Sequence, residues 1–352
     1  MGMKHILLRW RAFSILLVFL AGAADLCAQE SFKGKTIKII AGFPAGGGVD
    51  AEARLLARYL ERHIPGNPSV IAQNMAGAGG IVATNWFEQM AKPDGLTLHY
   101  TSVSSITQQV FGAEGAKFDL KTWEMVGSVV RGTSVIMIKP DKLERLTNPS
   151  KPPLGIGSRT ADDSWSTMFF WGAEYLKWNV RWILGYRGGG ELRIAFQRGE
   201  TDLYASANLQ ALRELIGEGF QPFVQQGRLT SAGSFKRRPE FPNVPTFEET
   251  LGKNRPAAAA WEAYRSWAGS DAAGRPLFAP PKTPPAIVRT LRESFARLEG
   301  DKEFHKDMLG VAGDDAELLM TNEAEPVLRQ LLTVSPGVQE FVTNLTKKHL
   351  KR

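Results

Sequence analysis

Residues 36–50, Thr36-Ile-Lys-Ile-Ile-Ala-Gly-Phe-Pro-Ala-Gly-Gly-Gly-Val-Asp50, constrain the fold more than any other stretch of the chain. A β-branched run enters a turn with three adjacent glycines, and a helical pattern with Leu55, Leu56, Tyr59 and Leu60 on one face leaves it. Glycines tolerate positive φ, and without Cβ atoms they let a ligand approach the backbone. The N–H groups that open the following helix lack partners within it and suit an anion. Asp50 stands at an N-cap or first-turn position. The design recurs where Val70–Met75 runs into Ala76-Gly-Ala-Gly-Gly80 and residues 81–90 follow as a helix. Two such units side by side would aim two sets of amides at one small anion.

Residues 1–28 read as a secretory signal, with Lys4, Arg9 and Arg11 ahead of the apolar run Phe13 to Ala24. Leu26-Cys-Ala28 offers a cleavage site before Gln29. Cys27 raises the alternative of a lipoprotein, but Leu26 is large for the position before a lipidated cysteine. The apolar run is too short to cross a bilayer, and Arg9-Trp-Arg11 is not a twin-arginine pair. Cys27 is the sole cysteine, so the mature chain would have no disulfide, thiol nucleophile or cysteine-bound metal. Cleavage removes three positive charges and one negative, lowering the net charge from +7 to +5. That excess favours anions and is weak support for nucleic acid. The remaining length of roughly 320 residues exceeds a typical single core and predicts two domains.

Strand-like and helix-like patterns alternate along most of the chain, which predicts an α/β architecture with largely parallel sheets. Arg131-Gly-Thr133 reads as a crossing between domains, and Arg228 to Ser234 as the way back. Domain I is therefore expected at 29–131 and 232–352, and domain II at 132–231, with two hinge strands between them.

The chemical inventory is thin. Gly46-x-Gly48-x-x-Ala51 matches a loose dinucleotide fingerprint, but the second strand ends at Gln73-Asn74 where that fingerprint wants an acid. No Gly-Lys-Ser/Thr follows the glycines, no Gly-x-Ser-x-Gly elbow occurs, and no two histidines have metal-ligand spacing. Ser158 follows a strand without a histidine signalled as its base. Asp162-Asp163 fits an acidic helix start. Of the aromatic cluster between Trp165 and Tyr186, most residues fit a core, and Trp165 and Tyr186 fit a cleft wall. Arg159 and Arg187 lie at strand ends. An arginine there is either a solvated charge or a fork for a ligand's second carboxylate.

The motifs Phe43-Pro-Ala-Gly-Gly-Gly-Val-Asp50, Gln73-Asn-Met-Ala-Gly-Ala-Gly-Gly80, Lys92-Pro-Asp-Gly95, Gly155-Ile-Gly-Ser158, Gly185-Tyr-Arg-Gly188, Gly199-Glu-Thr-Asp202, Asn243-Val-Pro-Thr-Phe247 and Phe278-Ala-Pro-Pro-Lys-Thr-Pro284 occur in order across the chain. As a set they resemble the Bug family, the extracytoplasmic solute receptors of tripartite tricarboxylate transporters. The resemblance implies a two-lobed periplasmic-binding-protein fold (Venus flytrap) with no enzymatic activity and no cofactor. It implies a periplasmic monomer that delivers a di- or tricarboxylate, or an aromatic carboxylate, to a membrane permease. Carried over by motif, the ligand-binding residues are Phe43, Ala45, Gly46, Gly47 and Asp50, then Gly77, Ala78 and Gly79. From domain II come Ser158, Tyr186 and Gly188, with Asp202 either touching a polar ligand group or capping structure. The chain departs from the family at Ala45, Val49, Arg159 and Arg187. The rival readings are an exported enzyme, either an NAD-dependent oxidoreductase or a hydrolase, and a receptor feeding a sensor kinase.

Overall fold

The computed structural model describes residues 32–230, 232–256, 258–312 and 316–350, and the export segment expected at 1–28 lies outside them. β1 (Thr36–Ala41), β2 (Ser69–Asn74), β3 (Thr97–Tyr100) and β4 (Glu124–Val130) start a first sheet. β5 (Val135–Ile138), β6 (Leu154–Ser158), β7 (Val180–Leu184), β8 (Leu203–Ser206) and β9 (Gln221–Gln225) make a second. A hairpin of β10 (Arg228–Leu229) and β11 (Phe235–Lys236) follows, and β12 (Arg275–Ala279) and β13 (Glu317–Leu319) complete the first sheet. The strand orders are β13-β4-β12-β3-β1-β2 and β7-β6-β8-β5-β9. The α/β, two-lobed architecture expected from the sequence is what forms, but the sheets are mixed and not largely parallel, because β4, β5, β9, β12 and β13 join through antiparallel pairings.

β1 pairs in parallel with β2 and β3, so the segments after all three strands emerge at one sheet edge. Helix Gly48–His63 returns across this sheet with Leu55, Leu56, Tyr59 and Leu60 buried. Arg54, Arg58 and Arg62 lie outside and pair with Asp50, Asp307 and Glu303. In the second sheet β6 is parallel to β7 and β8, giving the same arrangement.

Residues 131–134 carry the chain from β4 to β5. Gln226 braces this crossing: its backbone N–H donates to Ser134 O at 2.9 Å, and its side-chain amide donates to Ala268 O at 2.6 Å. Buried Arg238 donates from Nη1 to Thr133 O and Ala207 O. A Cβ on Gly132 would sit 2.1 Å from Arg238 Cζ, so any other residue there must displace that guanidinium from its two carbonyls.

The sequence places the return to the first lobe at 232. In the structure, Phe235, Phe247, Trp261, Tyr264 and Trp267, with Val338, Val342 and Leu345 of the last helix, join the core beneath the second sheet. The physical cause is the aromatic face of helix Ala258–Ala268. Tyr264 lies edge-on to Trp171, Trp267 packs on Phe170, and Trp171 Nε1 donates to Ala260 O. The chain re-enters the first sheet only at β12.

His99, on β3, is a core residue. Its Nδ1 lies 2.8 Å from Ile40 O and its ring packs on Phe87 and Trp123. Burial pushes its pKa down from 6.5 to about 4, against the opposing bond to Ile40. Neutral His99 therefore contributes stability that is complete above pH 6.5 and is lost as pH falls toward about 4. We expect His99→Gln to flatten that limb, worth up to about 3 kcal/mol, in thermal unfolding followed between about pH 7 and pH 4.

Candidate functional site

A cleft of about 580 Å³ opens between the sheets, lined by the segments that follow β1, β3, β6, β7 and β8. Ligands of open α/β sheets bind in such crevices outside the carboxyl ends of the strands. Four helix N-termini converge there. Ser102 and Asn208 side chains cap helices Val103–Val110 and Leu209–Gly217. Helices Gly48–His63 and Gly189–Arg198 begin at Gly47 and Gly188 without a side-chain cap. Their first-turn amides and the positive ends of their dipoles favour an anion.

Of the first-loop residues expected at the site, Phe43, Ala45, Gly46 and Gly47 line the cleft and Asp50 does not, while Gly48 and Val49 line it as well. Asp50 shapes the loop from behind. Its Oδ2 accepts from Gly46 N at 2.8 Å, and its Oδ1 accepts from Asn74 Nδ2 at 2.8 Å and meets Arg54 at 2.9 Å. Asn74 Nδ2 also donates to Phe43 O, tying the loop to the end of β2. Burial opposes the charge on Asp50, but Arg54, the Gly46 amide and Asn74 outweigh it and hold the carboxyl below its usual range. Gly46 N is thus committed, which leaves the amides of Gly47, Gly48 and Val49 for the cleft.

The second loop departs from expectation. Gly77, Ala78 and Gly79 take positive φ values of 153°, 47° and 63° and lie beside the first loop, yet they do not line the cleft. Gln108 Nε2 donates to Gly79 O, and Thr160 of the second lobe stands over Gly79, its Cγ2 3.0 Å from where a Cβ would be. The ring of Phe43 fills the space against Gly80.

The turn after β6 closes the lobes together. Buried Asp163 pairs with Arg159 and accepts from Ser104 Oγ at 3.1 Å across the cleft, and Ser158 Oγ also lies 3.1 Å from it. Thr107 Oγ1 donates to Asp162 O at 2.7 Å. Arg159 Cζ sits 4.7 Å above the Phe43 ring. Asp163, just ahead of helix Ser166–Tyr175, is therefore a buried acceptor and a latch. Arg159 lines the cleft but is neutralised by Asp163, and Ser158 is wholly buried beneath the turn. Trp165 and Gly188 line the cleft as expected. Tyr186 does not: it packs toward Gly157 in the second-lobe core. Asp202 stands at the opposite end of β8, where its Oδ2 accepts from Gly155 N at 2.9 Å beside Arg145, so its role is to cap structure.

Sequence reading missed the floor. Arg131 and Arg275 each place Nη1 on Oε1 of fully buried Glu52, at 2.7 and 2.5 Å, and Tyr100 donates to Oε2 at 2.7 Å. Burial would push the Glu52 carboxyl up, but Arg275 and Arg131 outweigh it and hold it low. Both arginines reach the cleft beneath Gly48, joined by Asp271. No local motif marks these residues, because three distant segments bring them together.

No protein-family model matches the chain. A UPF0065 protein of Bordetella pertussis is 27% identical over 310 residues, covering 83% of this chain and 84% of its own. The B. pertussis protein BugT is 37% identical over 97 residues, 27% of this chain and 29% of its own. Among solved structures, the periplasmic binding protein BugD superposes with a TM-score of 0.65 at 20% identity, over 88% of this chain and 97% of that one. MatC of Rhodopseudomonas palustris with bound malate gives 0.62 at 20%, over 89% and 98%. An R. palustris protein with adipate gives 0.66 at 16%, over 90% and 97%. These likenesses show the two-lobed binding-protein fold.

Desolvation raises Asp271 from 3.8 to about 6, with neighbouring Asp163 adding to it and Ser164, Arg275 and Gln226 opposing. Its charged form therefore costs stability, an effect absent below about pH 4 and complete above about pH 6. Asp271→Asn should raise Tm at neutral pH, by at most about 3 kcal/mol of stability, and lose that advantage in acid. Melting curves of both proteins across this range check it.

Proposed function

We propose that this chain, a member of the Bug family, is a periplasmic receptor that closes two lobes on a small organic carboxylate. It hands that acid, without chemical change, to a membrane permease of the tripartite tricarboxylate type. The observation that carries this reading is the uncapped start of helix Gly48–His63, whose Gly47–Val49 backbone opens on the cleft above Arg131 and Arg275. One carboxylate oxygen pair would take those amides as charge-assisted acceptors, and closure of the second lobe would exclude water and strengthen each bond. Closure requires contacts that the ligand makes only in the closed state. Gly188 and the uncapped helix behind it supply a second set of amides from the opposite wall.

Export and binding without turnover accord with the solved relatives, which carry the names of periplasmic and solute-binding proteins. Malate and adipate occupy two of them. Among the described residues, no helix is long and apolar enough to cross a membrane. We take the receptor as a monomer that meets its permease through the closed lobes.

The test is a thermal-shift and calorimetric panel of di- and tricarboxylates, aromatic acids and NAD on protein refolded free of host ligand. One class of carboxylate should stabilise the native state by about 2.7 kcal/mol at a hundred times Kd, binding one per chain. Stabilisation by NAD alone, or turnover, would sink the receptor reading. Gly47→Val probes the loop. Gly47 has φ −86°, and its Cβ would meet only Pro44 O at 3.5 Å, so the fold should persist. Affinity should fall about a hundredfold, equivalent to about 2.7 kcal/mol, as the side chain enters the carboxylate's place. Unchanged affinity would remove the first loop from the site.

A further inference from the structure

At the hinge end of the cleft, Arg131, Arg275 and Glu52 together carry one net positive charge directly beneath the first glycine loop. Both Nη1 atoms lie 3.8 Å from where a Gly48 Cβ would be. Arg131 is nearly buried, whereas the Arg275 side chain is 22% exposed and faces the cleft. Asp271 lines the same cleft four residues earlier, on the turn Gly269–Ala273. Its Oδ2 is buried, and no donor among the described residues meets that atom in hydrogen-bonding geometry, although the Ser164 and Gln226 side chains lie near.

The groups that face Asp271 come from several elements. Arg275 stands at the start of β12 and Asp163 on the turn after β6. Gln226 follows β9, and Tyr264 lies on helix Ala258–Ala268. Arg275 favours a negative Asp271, and Asp163 opposes it. An ionised Asp271 cancels the charge of the Arg131–Glu52–Arg275 cluster; a protonated one restores it.

We propose that Arg275 and Asp271 form a proton-linked anion subsite: the far carboxylate of a dicarboxylate docks on Arg275 while Asp271 takes up one proton from solvent. This rests on the receptor reading above and assigns the near carboxylate to the Gly47–Val49 amides. Two carboxylates in one dry site cannot both stay charged cheaply, so the incoming one drives Asp271 toward its acid form. No bond to the ligand is made or broken. No histidine lines the cleft among the described residues, and of its carboxylates Asp163 pairs with Arg159 and Glu191 accepts from the Arg187 amide, whereas Asp271 Oδ2 meets no donor, so the proton is assigned to Asp271.

The sign follows from the free and bound states. Free Asp271 titrates at about 6, and a neighbouring anion moves it higher. Between those two values the complex holds a proton that the free receptor lacks, so Kd for dicarboxylates rises with pH, up to about tenfold per pH unit.

The experiment is calorimetry of the purified protein with malate, adipate and propionate between about pH 6 and pH 8, in pairs of buffers that differ in ionisation heat. Wild type should take up protons on binding dicarboxylates at neutral pH, with none taken up on binding propionate. Asp271→Asn should bind with no uptake and a flat pH profile. Arg275→Lys keeps a charge on Glu52 but loses the guanidinium fork. It should weaken dicarboxylates about tenfold more than it weakens propionate. Dicarboxylate binding without uptake, uptake that persists in Asp271→Asn, or equal losses for both acid classes in Arg275→Lys overturns the subsite alone. Failure of every carboxylate to bind wild type at any pH overturns the receptor reading, and the subsite with it.

Discussion

One carboxylate with no exposure to solvent, Glu52, organises the hinge end of this protein. It sits in the second turn of the helix that follows the glycine loop and holds Arg131 at the end of β4, Arg275 at the start of β12 and Tyr100 at the end of β3. The crossing after β4 and the return at β12 are therefore both tied to the element that presents the backbone amides. Losing one partner of such a buried cluster typically costs about 3–5 kcal/mol, because the remaining charge is left without compensation. The cluster also sets the sign of the cleft floor. Cross-lobe contacts between Asp163 and Ser104, and between Thr107 and Asp162, then decide how the walls meet.

Much of this was legible in the sequence because it is local. A β-branched run, adjacent glycines and a periodic helix specify the unit at 36–63, and the parallel pairing of β1 with β2 places its repeat alongside. The alternation of patterns fixed the α/β class in the same way. What was not legible depended on distance along the chain. Arg131 and Arg275 share one oxygen of Glu52 across 79 and 223 residues of separation. The aromatic face of helix Ala258–Ala268 follows an alanine-rich start that carries no sign of where it will pack, and it draws residues 235–268 onto the second lobe.

Motif resemblance was informative about position and less so about contact. Asp50 and Asp202 lie within their motifs, yet both turn inward to backbone amides, Gly46 N and Gly155 N, and hold a loop or a strand in place. Arg159 stands at the cleft but spends its charge on Asp163. In each case a charged side chain near a binding loop found its partner within the protein. The backbone, which has no such alternative at an uncapped helix start, keeps its capacity for a ligand.

Thr160 gives this arrangement a partition. By standing over Gly79 it shuts the second glycine loop away from the open space, although that loop's backbone lies against the first one. The open space then runs from the first loop to the hinge floor and does not reach the second loop. Thr160 thus bounds a chamber that it does not line, and for the proposed carboxylate a smaller side chain there would extend the space toward Gly79.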